Sequence, residues 1–230
     1  MPRKTDKRHR LIDAAKVLIH KQGFNLTTLA DIAQEADVPL GNVYYYFKTK
    51  DAIGVAVIDK WSSDFASLFL YLKENSDPLV RLNAILQVPD DELEAIARFG
   101  CPIGGLCLEL GKQGGPLADQ TARILHDLLG WAELQFNELG LVEKAVDHAL
   151  HFVSAIQGAY LLAHTFKDPK IALRQFENLR IWLSSITGRV VQNNTMTAYP
   201  PVYNFLSALC VSNAKLSKAM LLQESVEEFV

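Results

Sequence analysis

The sequence predicts an all-α protein, with an N-terminal three-helix, helix-turn-helix head in residues 1–50 and a larger helical body behind it. Three observations carry this. Apolar residues recur at three- and four-residue spacing over most of the first 188 positions. Thirteen glycines and nine prolines in 230 residues punctuate these stretches instead of filling them. Near the start, two short helical stretches separated by a tight turn follow one longer stretch. At 49% hydrophobic and 21% charged, the chain can bury a real core, which excludes disorder as its main state.

The first helix is expected over residues 8–22, where Leu11, Ala14, Ala15, Leu18 and Ile19 share one face and Gly23 ends the run. A threonine of the pair Thr27 and Thr28 suits the cap of a second helix, and Asp31 in its first turn complements the dipole. Leu29, Ile32, Ala33 and Ala36 form its inner face. Residues 36–38 leave room only for a turn, and Pro39 suits the first turn of a third helix reaching about residue 47. Val43 and Phe47, four apart, point inward.

Charge is divided unevenly. Residues 1–50 hold nine Lys/Arg against five Asp/Glu, and residues 51–230 hold fourteen against twenty-one. The basic end, with Arg3, Lys4, Lys7, Arg8 and Arg10 opposed only by Asp6, is an arm suited to phosphates. On the third helix the outward residues are Leu40, Gly41, Asn42, Tyr44, Tyr45 and, in part, Tyr46, followed by Lys48 and Lys50. Lysines and tyrosine hydroxyls reach phosphates, an Asn amide offers a donor and an acceptor to an adenine edge, and Gly41 permits close backbone approach.

These residues carry a resemblance. The run TTLADIAQEADVPLGNVYYYFKTKDAI is similar to the DNA-binding signature of the TetR/AcrR family of transcriptional repressors, and the likeness covers about residues 9–55. The resemblance implies a homodimer that binds a double-stranded DNA operator and answers to a small-molecule effector of unknown identity. It places Thr28, Gly41, Asn42, Tyr44, Tyr45 and Lys50 at positions that touch DNA. Leu40 stands where relatives carry a polar residue or Lys, and contacts a thymine methyl or nothing.

Behind the head, residues 51–188 are expected to form the effector-binding and dimerisation part. Ile53, Val57, Trp61, Phe65, Leu68 and Leu72 predict a helix of some twenty residues, to which the resemblance assigns a lever role. Pro78 and Pro89 begin two more helices, the latter ending near Gly100. The GCPIGG segment from Gly100 points to a close backbone approach and resembles a helix start in some TetR-like regulators. A helix over 117–139, a small-residue-rich helix over 145–166 and a last helix from Pro169 to Gly188 complete this part. By resemblance the last two pair across a dimer; intramolecular core is the alternative. Trp61, Phe65, Phe99, Trp131, Gln135 and Phe136 are candidate pocket liners, or else core.

Other chemistry finds little support. Cys101 and Cys107 are six apart, which fits neither a zinc knuckle nor a redox dithiol, though a redox or electrophile-sensing repressor using either thiol remains the alternative. His148 and His151 lack a third ligand, so no metal is expected. No matched nucleophile and base supports a small-molecule-modifying enzyme, and no cofactor is expected. No apolar run approaches the about 20 residues of a membrane span, and from the opening MPRKTDKRHR no secretory signal is expected. With Cys101, Cys107 and Cys210 unable all to pair, a cytoplasmic location is expected. Residues 189–230 form a C-terminal extension of unassigned role, in which 203–229 could make an amphipathic helix.

Overall fold

The computed structural model describes residues 4–189, and the expectations for Arg3, Cys210 and the helix over 203–229 lie outside that range. Ten α-helices and no strand occur among the described residues. The head contains α1 (Lys4–Gln22), α2 (Leu29–Glu35) and α3 (Leu40–Tyr46), and α4 (Lys50–Leu72) leads into the body. There follow α5 (Pro78–Ile85), α6 (Asp90–Phe99), α7 (Pro102–Gln113), α8 (Pro116–Glu138), a single 3-10 turn at Val142–Lys144, α9 (Ala145–Phe166) and α10 (Lys170–Thr187).

Local chemistry accounts for most boundaries. Thr28 and Asp31 form a reciprocal capping box at α2, Thr49 accepts from Ala52 N at 3.1 Å to cap α4, and Asp77 accepts from Leu79 N at 2.9 Å to cap α5. Proline opens α5, α7 and α8, where its missing N–H costs nothing. Two boundaries differ from expectation. Pro39 is the N-cap of α3, with extended backbone at ψ 138°, so it precedes the first turn. The described part of the basic arm, from Lys4, is the opening of α1, because Lys and Arg are good helix formers and nothing there breaks the helix.

The apolar residues gather into two main cores joined end to end by α4. The first holds Leu11, Ile32, Val43 and Phe47 of the head, Ile53, Val57 and Trp61 of α4, Ile103, Leu106 and Leu110 of α7, and Ile124 of α8. The second holds Leu68 and Leu72 of α4 with residues of α5, α8, α9 and α10, including Phe136, Phe152 and Phe176. Residue 50 therefore is not a break in packing: head side chains share one core with α7 and α8. A helix of 23 residues is about 35 Å long, enough to run through both cores.

Polar contacts fix the head at its base. Glu109 of α7 accepts from Phe24 N at 2.7 Å and Asn25 N at 2.6 Å in the loop after α1. Gly23 is needed there twice over: its φ is +86°, and an added Cβ would lie 3.0 Å from the Glu109 carboxylate. His20 of α1 lies 2.7 Å by Nε2 from Gly100 O; a carbonyl only accepts, so Nε2 carries the hydrogen. Burial pushes the ring down to about 4, with the Gly100 bond opposing and the His164 and Lys21 charges assisting.

The unfolded ring takes a proton near pH 6.5 while the folded ring resists until about 4, so the His20 contribution is full above 6.5 and is lost as pH falls toward 4. Urea midpoints of wild type and His20→Gln, compared from pH 7.5 to 4.5, should show the difference shrinking on acidification by about 2 kcal/mol at pH 5. A constant difference would remove His20 from that role.

Candidate nucleic-acid interface and internal cavity

Helix α3 meets solvent with one face and the core with the other. Val43 is fully buried and Phe47, its C-cap, nearly so. That anchoring turns Leu40, Gly41, Tyr44 and Tyr45 outward, with Tyr45 the most open at 60% exposed and Asn42 half-buried beside them. A Cβ added to Gly41 would meet nothing within 4 Å, so glycine here answers no demand of the protein's own packing. Thr28 is exposed at the α2 N-terminus, its side chain engaged with Asp31 N at 3.1 Å. In return the Thr28 side chain and its backbone N–H, the latter at 2.9 Å, hydrogen-bond the Asp31 carboxylate and hold it below its ordinary range.

The cations divide into free and engaged. Lys48 is exposed just past α3. Lys50 donates to Asn25 O at 2.8 Å and sits 4.7 Å above the Phe24 ring, so it locks the loop after α1 while keeping its charge near α3. Arg10 is turned inward: its guanidinium donates to Ala36 O and, at 2.9 Å, to Asp37 O, gripping the turn between α2 and α3. That turn needs gripping because Asp37 holds φ 49°. Arg8 lies 5.4 Å from the Phe47 ring centre.

A second feature lies where the two cores meet. An apolar cavity of about 90 Å³ is bounded by α4, α5, α6, α7, α8 and α9, with Phe65, Leu68, Ile96, Ile103, Leu128 and Ile156 among its walls. Its polar wall atoms belong to Asp64, Glu92, Cys101, Gln157 and Tyr160. Of the six residues expected to line a pocket, the structure brings Phe65 there. Trp61 and Phe136 are core, at 1% and 0% exposed, filling the first and second cores. Trp131 stacks on Phe69 at 5.0 Å, Phe99 packs edge-on to His20, and Gln135 donates to Trp131 O at 2.9 Å, all outside the cavity wall.

The cavity touches the head through adjacent residues of α1. Lys16 donates to the Asp64 carboxylate at 2.9 Å, the pair being 10% and 13% exposed, and Val17 packs on Ile96. Lys60 binds the other oxygen of Asp64. Sequence reading had no means to pair Lys16 with a residue 48 positions away. A signal for Glu92 and Asp64 did exist, since each lies four residues before a buried apolar residue, Ile96 and Leu68, on an inward helical face.

The cysteines stand in conditions unlike those of reactive thiols. Cys101 caps α7, its Sγ accepting from Gly104 N at 3.3 Å, and burial pushes its thiol up. Burial pushes Cys107 up to about 11, and its Sγ lies 3.6 Å from Thr121 O. A thiolate is the reactive form, and both sites disfavour it. The close approach expected after Gly100 falls at Gly104, where a Cβ would lie 2.8 Å from Gln157 Oε1, while Gly105 faces open space. Among the described residues no three His, Cys, Asp or Glu converge as a metal site; His148 and His151 instead pack their rings on Trp182.

Comparison with known proteins agrees with this geometry. Residues 11–57 match the family described as Bacterial regulatory proteins, tetR family. An uncharacterized HTH-type transcriptional regulator of Lactococcus lactis subsp. lactis is 28% identical over 178 residues, covering 75% of this chain and 91% of that one. Transcriptional regulator AcuR of Cereibacter sphaeroides is 32% identical over 121 residues, about half of each chain. In fold, a TetR-family transcriptional regulator from Streptomyces coelicolor superposes with a TM-score of 0.68 at 17% identity, over 80% of this chain and 97% of that one.

Two substitutions test the α3 surface. Gly41→Ala should leave the melting temperature unchanged or slightly raised, since the methyl meets nothing and Ala favours helix, yet weaken DNA binding at least tenfold. Lys48→Gln should lower the salt dependence of binding by about one phosphate contact without loss of stability, whereas Lys50→Gln should also lower the melting temperature. Undiminished DNA affinity in Gly41→Ala would remove α3 as the reading surface.

Proposed function

The chain belongs to the TetR family of bacterial regulatory proteins and is a DNA-binding transcriptional regulator, and from that premise we propose how its parts divide the work. Helix α3 is the recognition helix. It enters a major groove with Asn42, Tyr44 and Tyr45, and with Leu40 where a thymine methyl is available, while Thr28, Lys48 and Lys50 hold the flanking backbone. The observation that carries this is the two-sided character of α3, anchored by Val43 and Phe47 and presenting aromatic and polar groups on its other side.

The protein acts as a repressor whose operator affinity falls when a small molecule enters the cavity at the junction of the two cores. With a volume of about 90 Å³ the cavity is smaller than the roughly 150 Å³ that receives a benzene ring, so an effector of ordinary size moves its walls. Asp64 and Ile96 are walls, and Lys16 and Val17 of α1 rest on them, so the displacement reaches the head. To release DNA the effector binds the displaced state more tightly, and a coupling of 1–3 kcal/mol changes affinity about 5- to 150-fold.

The partner copy is placed on α9 and α10. Val146, Leu150, Leu161, Phe166, Leu173 and Ile181 of these helices are each 45–64% exposed, an amount of exposed apolar surface unusual for a monomer. Two heads about one helical turn apart, roughly 34–36 Å, then read a pseudo-palindrome.

Selection of fragments from a genomic library by the purified protein tests the reading. Wild type should enrich pseudo-palindromic sites, Tyr44→Ala should enrich none while keeping its melting temperature, and Leu161→Arg should sediment as a monomer with operator affinity reduced at least tenfold. Enrichment without sequence preference would contradict the recognition-helix assignment, and a dimeric Leu161→Arg would contradict the interface.

A further inference from the structure

The ionisable side chains that line the cavity include acids but no bases. No Lys, Arg or His lines it, while two carboxylic acids do. Asp64 is already engaged by Lys16 and Lys60. Glu92 is different: only 9% exposed, it borders the cavity and takes no hydrogen-bond or ion-pair partner among the described residues. An ionisable group held this way is costly unless something completes it. Nothing in the core requires an acid at this position, since Leu93, Ile96 and Ala97 supply the packing of α6.

We infer that the cavity binds an apolar monocation, an aryl or alkyl ammonium, with its charged nitrogen against the Glu92 carboxylate and its hydrocarbon on Phe65, Leu128 and Ile156. This rests on the effector role assigned to the cavity above. An anionic effector finds no cation in the wall to pair with, since none of the lining residues is Lys, Arg or His and the two lysines behind Asp64 are already engaged by it. A neutral hydrocarbon leaves Glu92 as it is. A cation gains an opposite charge at a carboxyl that is only 9% exposed, and there the attraction is stronger than at the open surface.

The exchange of a proton makes this measurable. Burial, assisted by the charge of Asp91, pushes Glu92 up to about 8, so the empty cavity holds a carboxylic acid at pH 7. A cation favours the carboxylate, and the proton leaves to solvent as the ligand enters. Of the other titratable groups around Glu92, Asp64 of α4 carries its two lysine partners, Tyr160 of α9 is a phenol, and the Cys101 thiol before α7 is pushed further up by Glu92 itself. The walls from α5 and α8 are Ile85, Leu125 and Leu128, which do not titrate.

The test is calorimetric titration of the full chain with phenyltrimethylammonium, a permanent cation, and with tert-butylbenzene, its neutral counterpart of the same shape. Titrations at pH 7 in buffers of different ionisation heat count the protons. The cation should bind at least tenfold tighter than the hydrocarbon and release close to one proton per site. Its affinity should rise with pH up to about 8 and then level off, while the hydrocarbon stays flat. Glu92→Gln should lose at least tenfold in cation affinity and nothing for tert-butylbenzene, a readout that a misfolded variant would not give. Equal binding of the two ligands, absence of proton release, or an unaffected Glu92→Gln overturns the inference. If the hydrocarbon alone binds, and Ile156→Trp abolishes that binding, the cation is overturned and the effector cavity stands. Binding of neither ligand overturns the cation as well.

Discussion

The ion pair between Lys16 and Asp64 is the constraint on which the arrangement turns. Both side chains are nearly buried, one belonging to the DNA-facing head and the other to the wall of the internal cavity. Removing Asp64 takes from the nearly buried Lys16 its carboxylate partner, a change that commonly costs about 3–5 kcal/mol, whereas Asp64 without Lys16 keeps Lys60. The head is thus held against the body by an interaction that resists separation yet depends on where α4 places Asp64. A wall displaced by even an ångström lengthens that contact, and Val17 on Ile96 must follow from the adjacent position of α1.

Around this pair the other ties have a different character. Glu109 satisfies two backbone N–H groups of the loop after α1, Lys50 satisfies a carbonyl of the same loop, and His20 reaches the Gly100 carbonyl. These bonds lie at the head's base and end on α7, on the start of α4 or on the α6–α7 junction. On the proposed reading they are the points about which the head would tilt, and Lys16 and Val17 are where the cavity would act on it. The first core includes α7 and α8 residues beside those of the head, so the unit packed as one is larger than the 47 residues of the family match. Such a shared core transmits displacement because a close-packed interior yields little.

Much of the fold was legible in the sequence, for local reasons. Helix caps, prolines near first turns and glycines at helix ends act within four residues, so many boundaries could be read along the chain, though not the starts of α1 and α3. The outward residues of α3 were legible for the same reason: once Val43 and Phe47 face inward, helical geometry sends Tyr44 and Tyr45 out. What was not legible was long-range. Trp61, Trp131 and Phe136 have the size and apolarity of pocket liners, but size and apolarity also make core, and only the third dimension decides. Arg10 looked like part of a phosphate-binding arm, yet its partner is a turn 26 residues onward whose need for a donor arises from the Asp37 conformation. Glu92 escaped notice because three acids in a row at a helix start look like a solvated first turn.

A double-substitution cycle on operator affinity tests the central claim most directly, using wild type, Lys16→Met, Asp64→Leu and the double variant at one salt concentration, each checked for an intact helical melt. If the pair transmits the state of the cavity to the head, Asp64→Leu alone should weaken operator binding at least fivefold, and adding Lys16→Met should recover part of that loss, giving a coupling of about 1 kcal/mol or more. Folded single variants that bind the operator as wild type does, with effects that simply add, would contradict the account.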